Sequence, residues 1–447
     1  MIFSAPRFVV VDDRDHHLLA ITRTFQLLGT PCMGIRYDPA EELKQDHFKG
    51  VRCLFMDLHL VDGQASTDQR RHYGLIASIL EDNISRNGGP FILVVWTEHE
   101  HLSVELRDYL DQNIDAEKPH ARPLAVLSLA KEKFINVGDG DIVNPEELKK
   151  AVHNAVVANP QIAALLGWEA DVLLAAGDTL AELLKLVPAQ ERVSASFPGA
   201  LDTILSRLAR EAVGRPNVEV NHRTAITTAL APILADRVLN QEVSPETAEL
   251  WKKAVTRHND DSLQDASSQV AGCVNRMLHV AVPGSETILA TDWGAVVELS
   301  EDIWSSDEQM RQVFDGTRIE LLEEEFKIKA VDHDKCRPCL IRVGAACDYA
   351  QKRRGPLTYL LGLEIPIDLK RTSKAPVAEW NSPVLVLDGT PSPFRLHVNV
   401  RFSMSRPASA CEAWKIRYRL REQLLMLLLS HSNGYTSRPG IVQLPSK

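Results

Sequence analysis

Four short apolar runs, each followed at once by a polar or charged residue, constrain the first third of the chain. They span residues 8 to 11 (FVVV), 51 to 56 (VRCLFM), 91 to 96 (FILVVW) and 123 to 130 (PLAVLSLA). Continuous apolar runs that alternate with helical periodicity are typical of parallel strands covered by helices on both faces. The carboxyl ends of parallel strands share one edge of a sheet, so we expect the residues that follow these runs to converge there.

The residues that follow the runs carry two kinds of charge and one hydroxyl. In chain order they are Asp12 and Asp13, Asp57, Thr97 and Lys131. Three carboxylates in one pocket repel each other unless a cation holds them, and hard oxygen ligands favour Mg²⁺. An acidic pair for a metal, a carboxylate nucleophile, a hydroxyl and an ammonium group are what phosphoryl capture by an aspartate requires.

Residues 6 to about 158 resemble the receiver domain of two-component response regulators. The resemblance rests on four motifs in order, which are VVVDD, MDLHL, VVWT and SLAK. It implies an α/β, flavodoxin-like, doubly wound domain over residues 1 to 158, with a five-stranded parallel sheet of order 2-1-3-4-5. It also implies a partner, either a histidine kinase or a phosphotransfer protein, that supplies the phosphoryl group.

The resemblance assigns a role to each strand-end residue. Asp57 is expected to be the phosphoacceptor. The carboxylates of Asp12, Asp13 and Asp57, with the backbone carbonyl of His59, are expected to hold Mg²⁺. Thr97 would then hydrogen-bond the phosphoryl group and Lys131 would neutralise its charge.

Some positions depart from the family pattern. Val61 replaces the family's proline four residues after the phosphoacceptor, and Glu98 replaces a small residue after the strand-end hydroxyl. Glu132 replaces the proline that usually follows the lysine, and the run that ends at Leu129 contains no aromatic residue to act as a switch. We therefore expect phosphoryl capture to be intact and the usual threonine–aromatic relay to be absent.

Two helix boundaries are visible in the receiver stretch. Gly29 follows an apolar stripe of helical spacing, which predicts a helix that stops there. Asn144, Pro145 and Glu147 predict the start of the last helix, with a cap, a first-turn proline and an acidic third position.

Beyond the receiver stretch the sequence predicts two further regions. Residues 159 to 282 show helical spacing interrupted by prolines, which indicates a helical middle region of about five helices. Residues 283 to 447 indicate a mixed, strand-rich α+β module. Strands are predicted at residues 287 to 300, 317 to 331, 339 to 350, 357 to 366, 383 to 389 and 394 to 404, followed by a helix through residues 418 to 432. Its GAACDYAQ stretch and SRPGI ending weakly resemble an uncharacterised module that follows atypical receivers in bacterial proteins.

A second metal site is predicted in this module. His333, Cys336, Cys339 and Cys347 offer one imidazole and three thiols, a donor set that can hold Zn²⁺ tetrahedrally. The alternative is that the thiols are buried and free, because the second pair of a full zinc knuckle is missing.

Composition sets the wider limits. The net charge of -10 argues against a surface that binds nucleic acid over the whole chain, so DNA is not expected as a partner. No apolar stretch approaches the roughly 20 residues that span a bilayer, and the first residues do not resemble a signal peptide. Seven cysteines without a regular spacing suit a reducing compartment. We therefore expect a cytoplasmic location.

These observations predict a bacterial response regulator that promotes only its own aspartyl phosphorylation and is otherwise not an enzyme. Its output would pass by protein contacts, including possible self-association, through the helices of residues 161 to 280. Two alternatives remain open. One is a phosphate sink or scaffold receiver without an output of its own, and the other is an enzyme in the C-terminal module that the receiver gates.

Lys131 and Thr97 are predicted to separate capture from readout. We expect Lys131→Ala to slow phosphorylation, because the lysine offsets charge on the transferring group. Thr97→Ala should leave the phosphorylation rate largely unchanged and weaken the structural response. The measurement is hydrogen exchange in residues 98 to 112 with and without phosphorylation. An equal response in wild type and Thr97→Ala would contradict the role of the hydroxyl.

Overall fold

The computed structural model describes residues 7–27, 29, 31–60, 69–86, 88–96, 101–130, 133–134, 144–259, 265–390 and 392–438. The chain forms two compact units. The first unit contains residues 1–178 and 237–260, and the second contains residues 179–236 and 261–447. The boundaries expected from sequence after residues 158 and 282 stay predictions.

The first unit contains five strands and the helices between them. The strands are β1 (Phe8–Asp12), β2 (Cys32–Arg36), β3 (Cys53–Asp57), β4 (Ile92–Trp96) and β5 (Ala125–Leu129). The helices of this part are α1 (Asp15–Leu27), α2 (Gln69–Asn83), α3 (His101–Asn113) and α4 (Pro145–Val157).

The strands form one parallel sheet in the order β2-β1-β3-β4-β5. Successive side chains of a strand point to opposite faces, and both faces are buried here. Leu54 packs into a hydrophobic cluster on one face and Phe55 into a cluster on the other, both fully buried. The strand order is that of the flavodoxin-like, doubly wound fold, so the predicted fold class is confirmed for this unit.

Of the two predicted helix boundaries, one is confirmed in full and the other in part. Gly29 has a φ of 70° and donates its N–H to the Gln26 carbonyl at 3.0 Å, which confirms the predicted stop of α1. Helix α4 begins at Pro145 as predicted, but the Asn144 side chain makes no capping hydrogen bond. The proline, which needs no hydrogen-bond partner for its nitrogen, is the part of the start pattern that is realised.

The stretch between the two sheets is helical. Its helices are α5 (Pro160–Lys185), α6 (Phe197–Val213), α7 (Arg215–Val218), α8 (His222–Leu239), α9 (Pro245–Ala254) and α10 (Ser268–His279). Serine hydroxyls cap two of them, because Ser244 accepts from the Thr247 N–H and Ser267 accepts from the Val270 N–H. In the described part of the chain, none of the helices combines the length and the apolar character that crossing a membrane would require.

The second unit contains an antiparallel sheet of seven strands in the order β10-β11-β9-β8-β7-β12-β6. These are β6 (Val280–Ala281), β7 (Ala295–Glu298), β8 (Arg337–Val343), β9 (Leu357–Pro366), β10 (Glu379–Asn381), β11 (Phe394–Arg406) and β12 (Ile416–Leu420). Its helices are α11 (Glu301–Trp304), α12 (Asp307–Phe314), α13 (Arg318–Glu320), α14 (Ala346–Ala350), α15 (Ala408–Cys411) and α16 (Glu422–Thr436). The prediction of a strand-rich C-terminal region is confirmed.

Two of the predicted strands are wrong, and a third, at residues 339 to 350, is a strand only as far as Val343 because Ala346–Ala350 form α14. Residues 317 to 331 form α13 and a π-helical turn (Leu321–Glu325), because Thr317 and Glu320 make a reciprocal capping box. The Thr317 N–H donates to the Glu320 carboxylate at 2.7 Å, and the Glu320 N–H donates back to the Thr317 hydroxyl at 3.2 Å. Residues 383 to 389 contribute a single bridge from Leu385 to Phe394 rather than a strand.

Within the first unit, Glu169 ties α5 to the amino-terminal edge of the parallel sheet. Its carboxylate accepts two hydrogen bonds from the Arg52 guanidinium, both at 2.7 Å, and also pairs with Arg7. Arg52 is itself held by the Gly88 carbonyl at 2.7 Å. The hydrogen bonds from Arg52, helped by Arg7 and opposed by burial, lower the pKa of Glu169 to about 2.

Glu169→Gln should loosen this attachment in a pH-dependent way. The pKa of Glu169 is lower in the folded protein than its ordinary value of 4.5. The ion pair therefore stabilises the attachment fully above about pH 4.5 and is lost as the pH falls towards 2. At pH 7 we expect the substitution to cost about 1.5–3 kcal/mol in local opening, the range for hydrogen bonds to charged groups.

The measurement is hydrogen exchange of the amides of residues 163 to 172, corrected for intrinsic rates, at pH 7 and pH 3. The matched control is Glu182→Gln, which changes an exposed glutamate on the same helix. A difference between wild type and Glu169→Gln that is equally large at both pH values would contradict the role of the carboxylate charge.

Candidate functional site

Two carboxylates meet at the carboxyl edge of the parallel sheet. β1 ends at Asp12 and β3 ends at Asp57, and these strands are neighbours in the sheet. Asp12 is fully buried, whereas Asp57 is partly exposed. A nitrogen of His17 joins one oxygen of each carboxylate, so that all three atoms lie within 4.8 Å of one another.

The turn from β1 into α1 fixes Asp12 and His17. The Arg14 N–H donates to Asp12 Oδ1 at 3.0 Å, and the Tyr37 N–H donates to the Asp12 carbonyl at 2.9 Å. Helix α1 begins at Asp15, so its first turn brings the buried His17 back over the end of the strand. His17 Nδ1 lies 3.6 Å from Asp12 Oδ1, an ion-pair distance when the imidazole is protonated.

Asp57 is held differently. Its Oδ1 accepts a hydrogen bond from the His59 N–H at 3.1 Å, which orients the carboxylate at the strand end. Asp57 is aligned with Trp96 across β3 and β4, so β4 ends at the same edge of the sheet. A partly exposed, oriented carboxylate at such an edge is accessible to a ligand, as binding sites of open α/β sheets generally are.

The structure therefore brings together Asp12 and Asp57 from the predicted set. Asp13 lies outside the cluster of three, and its role as a metal ligand stays a prediction. The backbone carbonyl of His59 as a ligand also stays a prediction. Thr97 and Lys131 lie outside the described residues.

Three residues that depart from the family pattern lie, like Thr97 and Lys131, outside the described residues; they are Val61, Glu98 and Glu132. Their effects on the switch remain predictions. Leu129 is described as the last residue of β5, and Trp96↔Leu129 is the final aligned pair between β4 and β5.

His17 is the site residue that the sequence argument missed. The available sign was the order DDRDHH, in which a helix that starts just after the acidic pair places its second histidine in the first turn. Because the link between β1 and α1 is short, the first turn of α1 must lie over the carboxyl end of β1. Nothing in the apolar pattern distinguishes His17 from its exposed neighbour His16 before the helix start is known.

The chemistry of the donor atoms decides which ions fit. The carboxylates of Asp12 and Asp57 are hard oxygen ligands and fit the predicted Mg²⁺. The imidazole of His17 is a donor that transition ions accept more readily than Mg²⁺ does. The cluster can hold a divalent cation, and its histidine widens the range of suitable ions.

The predicted zinc site does not form in the second unit, where all four of its residues are described. Cys336 and Cys339 lie three positions apart along extended chain and pack into hydrophobic clusters on opposite faces of the sheet. Cys347 is exposed on α14, and His333 lies 3.6 Å from Glu323. Burial raises the pKa of the Cys336 thiol to about 11, as expected for a free buried thiol. The alternative of free thiols accounts for Cys336 and Cys339.

Comparisons with known proteins add little. No protein-family model matches the chain, and a search of curated proteins finds no match. Among solved structures the chain is similar to full-length FixJ from B. japonicum, with 14% sequence identity and a TM-score of 0.22 over 54% of this chain and 100% of that chain. A similarity of that size carries no argument about the fold, which rests on the strand order and register of the sheet itself.

His17→Gln should change which ions the cluster prefers. We expect the wild-type protein to bind Mn²⁺ more tightly than Mg²⁺, because Mn²⁺ accepts both carboxylate and imidazole ligands. His17→Gln should weaken Mn²⁺ binding by at least about tenfold, since losing even an outer-shell partner of a metal ligand costs about 10–100-fold, and should change Mg²⁺ binding little.

The measurement is Mn²⁺ binding by electron paramagnetic resonance, followed by competition with Mg²⁺. His16→Gln is the matched control, since His16 is the exposed neighbour on the same helical turn. Equal Mn²⁺ affinities in wild type and His17→Gln would show that the imidazole is not a ligand.

Proposed function

We propose that the first unit is a receiver that accepts a phosphoryl group on Asp57 and transmits this change by protein contacts. The observation that carries the proposal is the meeting of Asp12 and Asp57 at the carboxyl edge of a parallel sheet of order 2-1-3-4-5. In this arrangement the proposed nucleophile, the Asp57 carboxylate, lies beside a second carboxylate that is proposed to hold a cation.

In the proposed reaction an oxygen of Asp57 attacks the phosphorus of a phosphohistidine on a partner kinase or phosphotransfer protein. A new O–P bond forms, the N–P bond breaks, and the histidine nitrogen leaves with the electron pair. The hydrogen bond from the His59 N–H holds Asp57 in one orientation, which lowers the entropic cost of reaching the phosphorus.

Charge is the main obstacle to this step. The phosphoryl group is mostly dianionic at neutral pH, and it must approach two carboxylates. A Mg²⁺ held by Asp12 and Asp57 would supply the charge neutralisation that the transfer needs. The resemblance to receivers gives Lys131 the same role of neutralising the phosphoryl group.

The proposed output runs through the helical stretch by contact. α5 carries large apolar side chains that are more than half exposed, including Leu165, Trp168 and Leu173. Exposed apolar side chains along one helix favour a surface that another protein surface covers. Phosphorylation is therefore proposed to alter self-association or docking of residues 161 to 280.

A second candidate function is a receiver-like scaffold that binds its partner without being phosphorylated. The observation that favours it is the position of His17, 3.6 Å from Asp12 and almost fully buried. A protonated imidazole at this distance offsets the charge of Asp12 without a metal ion. The sheet edge where Asp12 and Asp57 meet would then be stable without a metal ion and without phosphorylation.

Asp57→Asn should abolish phosphorylation. Incubation of the full chain with acetyl phosphate and Mg²⁺ should add one phosphoryl group to wild type and none to Asp57→Asn, because an amide is not a nucleophile here. Asp12→Asn should slow labelling by about 100-fold, the usual effect of removing one charge-stabilising group. Asp111→Asn, at an exposed position of α3, is the control and should label as wild type does.

The outcomes separate the two candidate functions. Wild-type labelling that persists in Asp57→Asn would contradict Asp57 as the acceptor. No labelling of wild type by acetyl phosphate or by a phosphorylated kinase, together with unchanged kinase binding in Asp57→Asn, would favour the scaffold.

A further inference from the structure

One end of the antiparallel sheet in the second unit contains a charged cleft. Its volume is about 290 Å³, near the lower end of the range for small-molecule sites. Its lining combines acidic and basic side chains with a few apolar ones, and its residues are Val282, Pro283, Glu298, Arg337, Glu364, Leu387, Asp388, Thr390, Lys415, Ile416 and Arg417.

Four adjacent strands each contribute one charged residue to the cleft. Glu364 on β9 is directly aligned with Arg337 on β8. Glu298 is the last residue of β7, the next strand, and Arg417 lies on β12 beyond it. The charged groups therefore lie in a row across the sheet, each fixed by backbone pairing rather than by a mobile loop.

A β-bulge aims Arg417 at this row. Ile416 is aligned with Val297 and Tyr418 with Val296, so Arg417 is the extra residue between them. Ile416 consequently packs on one face of the sheet and Tyr418 on the other. Bulges beside binding sites commonly redirect a side chain in this manner.

Glu364 lies at the base of the row. It is 1% exposed, and its Oε2 lies 2.6 Å from Arg337 Nη2 and 3.1 Å from Arg417 Nη1. The Arg337 guanidinium also lies over the Phe394 ring, which holds it in place. Burying several ions in an apolar face is costly, so packing alone is a poor reason for the row.

The basic side chains of the cleft outnumber the carboxylates that are left to pair with them. Glu298 pairs with Lys415 at 2.9 Å and with Arg417 at 3.5 Å. Asp388 is already held by two hydrogen bonds of 2.9 Å from Arg276. The lining itself contains three basic residues, Arg337, Lys415 and Arg417, and three acidic ones, Glu298, Glu364 and Asp388. Because Arg276, outside the lining, pairs with Asp388, the three basic residues of the lining share the two remaining carboxylates.

We infer that this cleft binds a small molecule through a carboxylate or phosphate group. Arg337, Arg417 and Lys415 surround the cleft, and each arginine presents several N–H donors in a planar fork that matches an oxyanion. An arriving oxyanion would offset the excess positive charge, and Glu364 keeps the two guanidiniums in position before it arrives. The apolar residues of the lining suit the carbon portion of such a ligand.

The test is isothermal titration calorimetry of the full chain with four probes at constant ionic strength. Two probes carry a phosphate, inorganic phosphate and glycerol 3-phosphate, and two carry carboxylates, pyruvate and succinate. We expect at least one probe to bind, and the pair that binds more tightly identifies the anionic group. Arg417→Gln and Lys415→Gln should each weaken that binding by about tenfold or more, as the loss of a charged hydrogen bond does.

Arg419→Gln is the matched control, because Arg419 lies on the same strand but pairs with Glu286 outside the cleft. It should bind the probe as wild type does. If Arg417→Gln fails to fold, Lys415→Gln decides alone, since the Lys415 side chain is 76% exposed. Absence of binding by all four probes, equal binding in Lys415→Gln and wild type, or equal weakening by Arg419→Gln would each overturn the inference.

Discussion

The convergence of the Asp12 and Asp57 carboxylates at one edge of the parallel sheet is the constraint on which the candidate site depends. Parallel pairing of β1 with β3 forces both groups to the same edge, and one of them is fully buried there. Buried like charges are tolerated only when cations or hydrogen-bond donors surround them. The backbone N–H groups of Arg14 and His59 and the imidazole of His17 supply part of that compensation. A divalent cation would supply the remainder and prepare the edge for a phosphoryl group.

The second unit also contains a cluster of charged side chains, but there the excess charge is positive. Its antiparallel sheet brings Glu364, Arg337 and Arg417 together by strand register and a bulge. With Asp388 held by Arg276, the three basic residues of its cleft share two carboxylates. Each unit therefore contains a preorganised charged site on a rigid sheet. The proposed phosphoryl chemistry belongs to the first site and the inferred oxyanion ligand to the second, so each can be tested without the other.

The sequence predicted those structural features that depend on residues close together along the chain. Four apolar runs alternating with helical periodicity predicted the parallel sheet and the edge at which Asp12 and Asp57 meet, because burial on both faces leaves a continuous apolar signature. The order of the strands was implied by the family resemblance. Reasoning from apolar runs failed at residues 317 to 331, where a capping box formed a helical turn, and it missed His17. The charged cleft was equally invisible, since it depends on a bulge at Arg417 and on pairing between distant strands.

The central claim is that Asp57 forms an acyl phosphate. The most direct measurement is borohydride reduction of the protein after exposure to acetyl phosphate and Mg²⁺, followed by peptide mass spectrometry. Borohydride converts an aspartyl phosphate to homoserine, so the account predicts homoserine at position 57 and aspartate at positions 12 and 13. Homoserine at another position, or none after confirmed folding and metal addition, would contradict it.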